Sequence, residues 1–292
     1  MTMRPLPQPV RTGLLLAPAL AVVVVFFLGG VGNAVAQSVG WQPYLPGSTL
    51  SPQAYTTMWS NPAVRASLLL TLRVSVLSTA LAAVLAVATA LLLRRLGRGR
   101  IAVTAVFQAT LAVPHLIGAL CMLLLLSQGG LLSRLTHAVG LTATPADFPA
   151  VTQDAFGVAI IAEYVWKETP FLTLLVLTAL SRGADELDAA ARVLGAGAWQ
   201  RLRHVTLPLL APSLAAGSIL VFAFAAGSYE VPYLLGRPYP STLPVVALQL
   251  YSDTDLTARP QAMAVAVLIA ALSGLAVAAY LVVASRLSRR AL

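Results

Sequence analysis

Ionisable side chains are scarce in this chain: only 10% of its 292 residues are charged. Glu163, Lys167, Glu168 and Glu230 stand in or beside apolar runs, and His115 follows Pro114. A charge in such surroundings is costly and turns toward a cavity or an opposite charge. Glu163 and Lys167 are four residues apart with the acid first, a favourable helical pair in which each neutralises the other. Glu168 falls on another side of that helix and has no evident partner. Glu230 lies beside Pro232 at a helix end and reads as the mouth of a pathway. His115 either lines such a pathway or packs as a neutral ring.

Other chemistry is missing. A phosphate-cradling loop needs a glycine-rich turn ending in Lys-Ser or Lys-Thr. The one lysine, Lys167, sits in Val165-Trp166-Lys167-Glu168-Thr169, without such a turn. His115, His137 and His204 fall in three separate segments, and Cys121 is alone, so neither metal-ligand spacing nor an intrachain disulfide arises. No Ser/His/Asp arrangement and no paired carboxylates suited to catalysis are evident. We expect neither an enzyme nor a bound cofactor.

The elements that carry these residues are apolar. The chain is 58% hydrophobic, with a mean hydropathy of +0.83. Several runs reach the roughly 20 residues that a helix needs to cross a hydrocarbon core. Backbone groups cannot stay unpaired in lipid, and the Leu/Ala/Val runs do not alternate, so helices are expected rather than a barrel. The expectation is an all-α polytopic membrane protein with about six transmembrane helices, near 13–35, 70–93, 101–126, 156–181, 207–234 and 261–285. Pro114 and Pro170 fall inside the third and fourth spans and should bend them.

Net charge is +9, and its distribution is informative. Arg4, Arg11, Arg94, Arg95, Arg98, Arg100, Arg182, Arg192, Arg201, Arg203, Arg286, Arg289 and Arg290 fall on one side of a six-span arrangement. Only Arg65, Arg134, Arg237 and Arg259 fall on the other. That asymmetry expects a multi-pass protein of the cell (inner) membrane with both termini cytoplasmic, and it accounts for the basic charge without nucleic acid. Ala34-Val35-Ala36 resembles a signal-peptidase site, but the apolar run from Gly13 to Gly32 exceeds the roughly 7–15 residues of a signal core, so an uncleaved first helix is expected. Trp41, Tyr44, Tyr55 and Trp59 suit the membrane–water boundary, and Arg73 can snorkel outward from the second span. Two domains are expected: residues 1–61, an N-terminal helix with an exterior loop, and residues 62–292, the main membrane domain.

The most charged loop, about 182–206, runs from Asp185-Glu186-Leu187-Asp188 through Ala189-Ala190-Ala191-Arg192-Val193-Leu194-Gly195-Ala196 to Leu207-Pro208. It reads as a short helix, a glycine turn and a second short helix. Asp185 can cap the first helix, and Glu186 and Asp188 complement its positive end. Leu187, Ala191 and Leu194 share a face, small alanines permit close approach, and Gly195 frees the turn.

This segment resembles the cytoplasmic loop of binding-protein-dependent ATP-binding-cassette (ABC) permeases, whose motif is Glu-Ala-Ala, three residues, Gly, then a later Leu-Pro. Ala190, Ala191, Gly195, Ala196, Leu207 and Pro208 match; Ala189 replaces the motif's glutamate, with Glu186 and Asp188 nearby. Gly227-Ser228-Tyr229-Glu230-Val231-Pro232, Leu243-Pro244-Val245, Arg259-Pro260, Val113-Pro114-His115-Leu116 and Pro170-Phe171 look like the spermidine/putrescine, iron and thiamine branch. The resemblance implies a helical permease that pairs with a second permease, identical or not. It further implies a separate ATPase subunit docked on Glu186, Asp188, Ala190, Ala191, Gly195, Ala196, Leu207 and Pro208, and an exterior substrate-binding protein. Glu230, Glu163, Glu168 and His115 are the candidate pathway residues. Their excess of acids suits a polyamine or other small cationic solute. The alternative is an ion-gradient-driven secondary transporter, which an inverted repeat and a midplane ionisable site would mark.

Overall fold

A computed structural model describes residues 8–42, 49–96, 99–180 and 183–290; Arg4, Tyr44, Arg98 and Arg182 lie outside them. Among the described residues there is no strand. The helices are α1 (Gln8–Val23), continued through the π-helical Val24–Leu28 into α2 (Gly29–Ser38), α3 (Gln53–Ser60), α4 (Pro62–Arg95), α5 (Gly99–Ala112), α6 (His115–Leu126) and α7 (Leu131–Ala138). There follow α8 (Val158–Leu180), α9 (Ala184–Val193), α10 (Ala198–Arg201), α11 (Leu207–Gly227), α12 (Glu230–Leu235), α13 (Leu243–Tyr251) and α14 (Arg259–Arg290).

Five stretches among the described residues are long and apolar enough to cross a membrane: Thr12–Ser38, Pro62–Arg94, His115–Ala138, Ala198–Gly227 and Leu256–Val282. The remaining expected span, the fourth, is α8. Its 23 residues suffice in length, but it carries Glu163, Lys167 and Glu168. The third expected span, 101–126, is not one bent helix. It breaks into α5 and α6 at Val113–Pro114, where Pro114 adopts an extended backbone at φ −60° and ψ 143°. Pro170 stays inside continuous α8.

The chain forms two compact units, residues 1–61 with 247–268, and residues 62–246 with 269–292. In the first, the most apolar 18 residues of Thr12–Ser38 hold no buried residue, whereas Ser38 at the end of α2 is buried. The Ser38 hydroxyl lies 2.7 Å from the Tyr55 hydroxyl and ties the end of α2 to α3. In the second, α4, α8 and α11 pack against one another. Ala82, Ala86 and Ala90 of α4, four residues apart, are fully buried. Helices in lipid have no hydrophobic drive toward each other, so small residues that admit close backbone contact decide where they meet. Gly217 does the same on α11, where a β-carbon would lie 2.7 Å from a Leu172 methyl. Leu70, Val74, Ile160, Tyr164, Val231 and Leu235 fill the layer around α4, α8 and α12. Thr71 accepts the backbone N–H of Leu243 at 2.8 Å and so fixes the start of α13. Arg73 folds back rather than reaching freely outward: it donates to the Ala155 carbonyl and lies 4.9 Å over the Phe156 ring.

Candidate functional site

Two places gather the residues singled out by sequence. The first is the loop of α9 and α10. Gly183, at φ 79°, opens α9 without any side-chain cap. Asp185 is therefore not the cap that its position suggested; it pairs with Arg94 at the end of α4. Asp188 accepts from Arg192 at 3.1 Å and from Arg201 at 3.0 Å, and Arg201 also donates to the Ala196 carbonyl at 2.8 Å. Asp188 thus folds α10 back onto α9. Partial burial would raise its carboxyl, but the hydrogen bonds and charges of Arg192 and Arg201 outweigh that and hold it below the usual carboxylate range.

Gly195 sits at φ 84° with open space around it. Only glycine takes that conformation without penalty, and the chain reverses there between α9 and α10. Val193 and Leu194 are 89% and 86% exposed, and Leu187 and Trp199 are exposed beside them. Glu186, Ala190, Leu207 and Pro208 are exposed as well, while Ala191 and Ala196 are half-buried. The expected second short helix is not separate: α10 runs through the π-helical Leu202–Thr206 into α11, a single helical path from Ala198 to Gly227. Leu91, Arg94, Asp188, Trp199, Arg201 and Thr206 line a hollow of about 460 Å³ beneath the loop.

The second place surrounds the break at Pro114. Proline has no N–H, so the Thr110 carbonyl loses its donor four residues on and keeps only the longer bond from Val113 N–H at 3.3 Å. The Lys167 ammonium supplies a second donor at 2.7 Å, and it reaches the Val113 carbonyl at 2.6 Å. Among the described residues no ion pair joins Glu163 to Lys167, contrary to what their spacing suggested. Instead His115 lies between the two acids, with Nδ1 3.4 Å from Glu163 Oε1 and Nε2 3.7 Å from Glu168 Oε1. Glu168 has a neighbour after all. Glu163 is fully buried, and neither of its oxygens receives a hydrogen bond. His115 also lies 4.5 Å, ring centre to ring centre, from Phe224 of α11.

Glu230 is not drawn into this group. It opens α12, half-buried, in a shallow hollow of about 340 Å³ lined by Phe224, Ser228 and Tyr229. Phe224 lines this hollow and also packs against His115. Sequence alone missed Arg94, Arg201, Thr110, Gly118 and Phe224. The missing Pro114 donor was a readable signal for the Thr110 carbonyl; contacts between distant segments left none.

The family model described as "Binding-protein-dependent transport system inner membrane component" matches residues 79–290. The chain is 30% identical to the trehalose/maltose transport permease MalF of Thermococcus litoralis over 251 residues, 83% of each chain. It is 33% identical to a probable molybdenum ABC transporter permease of Haloferax volcanii, over 71% of this chain and 72% of that one. In fold it resembles the crystal structure of a bacterial ABC transporter that imports the acidic polysaccharide alginate. There the TM-score is 0.76 at 20% identity, covering 97% of this chain and 98% of the other.

Proposed function

The chain belongs to the family of binding-protein-dependent transport system inner membrane components, and on that premise we propose that it forms half of the solute pathway of an ABC importer whose ATPase docks on the α9–α10 loop. One observation carries this reading: an exposed apolar tip, Leu187, Val193, Leu194 and Trp199, stands on a helix–glycine–helix hairpin that continues without interruption into a spanning helix. Exposed clusters of large apolar groups mark interaction sites. A second permease, an ATPase subunit and an exterior binding protein complete the assembly. As a transport subunit rather than an enzyme, the chain needs its partner's nucleotide site, since its only lysine is engaged with Thr110 and Val113. Both termini are cytoplasmic in this reading, which the arginine distribution supports.

For the solute, a neutral sugar is the better reading than a polyamine. Glu163 and Glu168 are packed around the His115 ring beside Lys167, which leaves Glu230 as the candidate acid outside that group. The relatives named above carry trehalose/maltose and molybdenum in their names and give the polyamine expectation no support. The test is uptake in cells expressing the permease with its ATPase and binding protein. Labelled trehalose or maltose should enter and should be displaced by unlabelled sugar, and not by spermidine or molybdate. Failure of the ATPase to copurify with the permease would sink the assembly reading; displacement by spermidine would sink the sugar reading alone.

A further inference from the structure

One turn of α8 fastens both sides of the break between α5 and α6. Lys167 holds the end of α5 through the carbonyls of Thr110 and Val113, at 2.7 and 2.6 Å. Glu163 and Glu168 hold the start of α6 through His115, at 3.4 and 3.7 Å. Between the two attachments the backbone is extended at Pro114, which can neither donate nor continue the helix.

The attachments differ in kind. On the α5 side, a nearly buried ammonium makes two short, aligned hydrogen bonds. On the α6 side, the contacts of 3.4 and 3.7 Å are longer than those of Lys167, and neither oxygen of the fully buried Glu163 receives a well-aligned hydrogen bond. A buried acceptor left without a donor is costly, so this side is incompletely satisfied and a shift of α6 can improve it. The surfaces permit such a shift. Gly118, one turn into α6, presents bare backbone to Glu163, with a β-carbon there lying 2.9 Å from Oε1. Phe224 of α11 leans on His115, and α11 is the helix that begins at the α9–α10 loop.

We propose that the Val113–Pro114 break is a moving joint of the transport cycle, with α5 as its fixed arm and α6 as its moving arm. Lys167, Glu163 and Glu168 are the positioning residues that set its angle. Displacement of α11 reaches the joint through Phe224 and His115. The proposal rests on the permease reading, and its test applies only to an assembled transporter that takes up solute.

Spin labels at Ile101→Cys and Leu124→Cys, with Cys121→Ser, place one probe on each arm at exposed sites. In the complete transporter in lipid vesicles, the distance between them should change by several ångströms between the nucleotide-free and the ATP-trapped states. Lys167→Met should broaden that distribution and lower the maximal rate of uptake about tenfold with KM held within about twofold, and Lys167→Arg should recover both. His115→Asn, which leaves the fixed arm intact, should broaden the distribution with undiminished copurified ATPase. An unchanged distance across the two nucleotide states in a transporter active in uptake overturns the joint. So does a Lys167→Met effect on KM alone, or one that Lys167→Arg does not recover. Should Lys167→Met fail to assemble, a wild-type distribution and rate in His115→Asn overturns it equally.

Discussion

Gly118 faces Glu163 so closely that a β-carbon on it would lie 2.9 Å from the carboxylate oxygen and 3.1 Å from Trp166. Glycine is what lets α6 run along a fully buried acid. Gly118→Ala should therefore press the carboxylate away from His115 and destabilise the fold by about 1–3 kcal/mol, the usual range for overpacking. Thermal unfolding of the solubilised permease should show a midpoint several degrees lower. Adding Glu163→Asp, which withdraws the carboxylate by one methylene, should restore part of the loss. An unshifted midpoint in Gly118→Ala would mean that the contact is slack.

At Gly195 the constraint is conformational, because φ is 84° and nothing crowds the α-carbon. Gly195→Val should distort the reversal between α9 and α10 at a cost of about 1–2 kcal/mol, whereas Gly195→Asn should be tolerated, since asparagine enters the left-handed region more readily. Copurified ATPase per permease is the measurement. Equal yields for valine and asparagine would remove the reversal from the docking surface.

Asp188 has its carboxyl held below the ordinary range. A depressed folded value means that the stabilisation is present above the unfolded pKa of about 3.9 and fades only as pH falls through the folded value. Hydrogen exchange of residues 184–201 should therefore be equally protected at pH 8 and pH 5, once intrinsic rates are allowed for, and lose protection only in stronger acid. Asp188→Asn should lose part of that protection at every pH. A protection profile that changes between pH 8 and pH 5 in the wild type, and not in Asp188→Asn, would contradict the assignment.

Glu230 lies apart from the Glu163, His115 and Glu168 group, in the hollow with Phe224 and Tyr229. Glu230→Gln keeps the shape and removes the charge. Uptake should drop about tenfold or more, with complex yield unchanged. Normal uptake kinetics would return Glu230 to a structural role at the start of α12.

Reporter fusions at Ser51, Leu141 and Thr254 should read exterior, and a fusion at Gly195 cytoplasmic, following the arginine asymmetry. A cytoplasmic signal at Ser51 would reverse the orientation.

Most of the helical architecture was legible from apolar run lengths, and the α9–turn–α10 hairpin from its alanines and glycines. The break at Pro114 was legible only as a bend. A proline states that one hydrogen bond is missing, and whether the helix survives depends on what satisfies the stranded carbonyl. At Pro170 the helix persists; at Pro114 a lysine 53 positions along the chain stabilises the open form. The Glu163–Lys167 spacing misled for the same reason, since a contact between neighbours on one helix competes with distant acceptors that no local pattern reveals. The Arg94–Asp185 pair likewise joins segments 91 residues apart.

The uninterrupted helix from Ala198 to Gly227 has a mechanical meaning. Thirty residues at about 1.5 Å each make a continuous helical path on the order of 45 Å, whose weak points are the π-helical Leu202–Thr206 and Pro212. A thrust delivered at Trp199 has an unbroken helical path to Phe224, whereas the path through α5 and α6 is cut at Pro114. The protein thus carries one member suited to conveying force and another suited to yielding, and Phe224 against His115 is where the two meet.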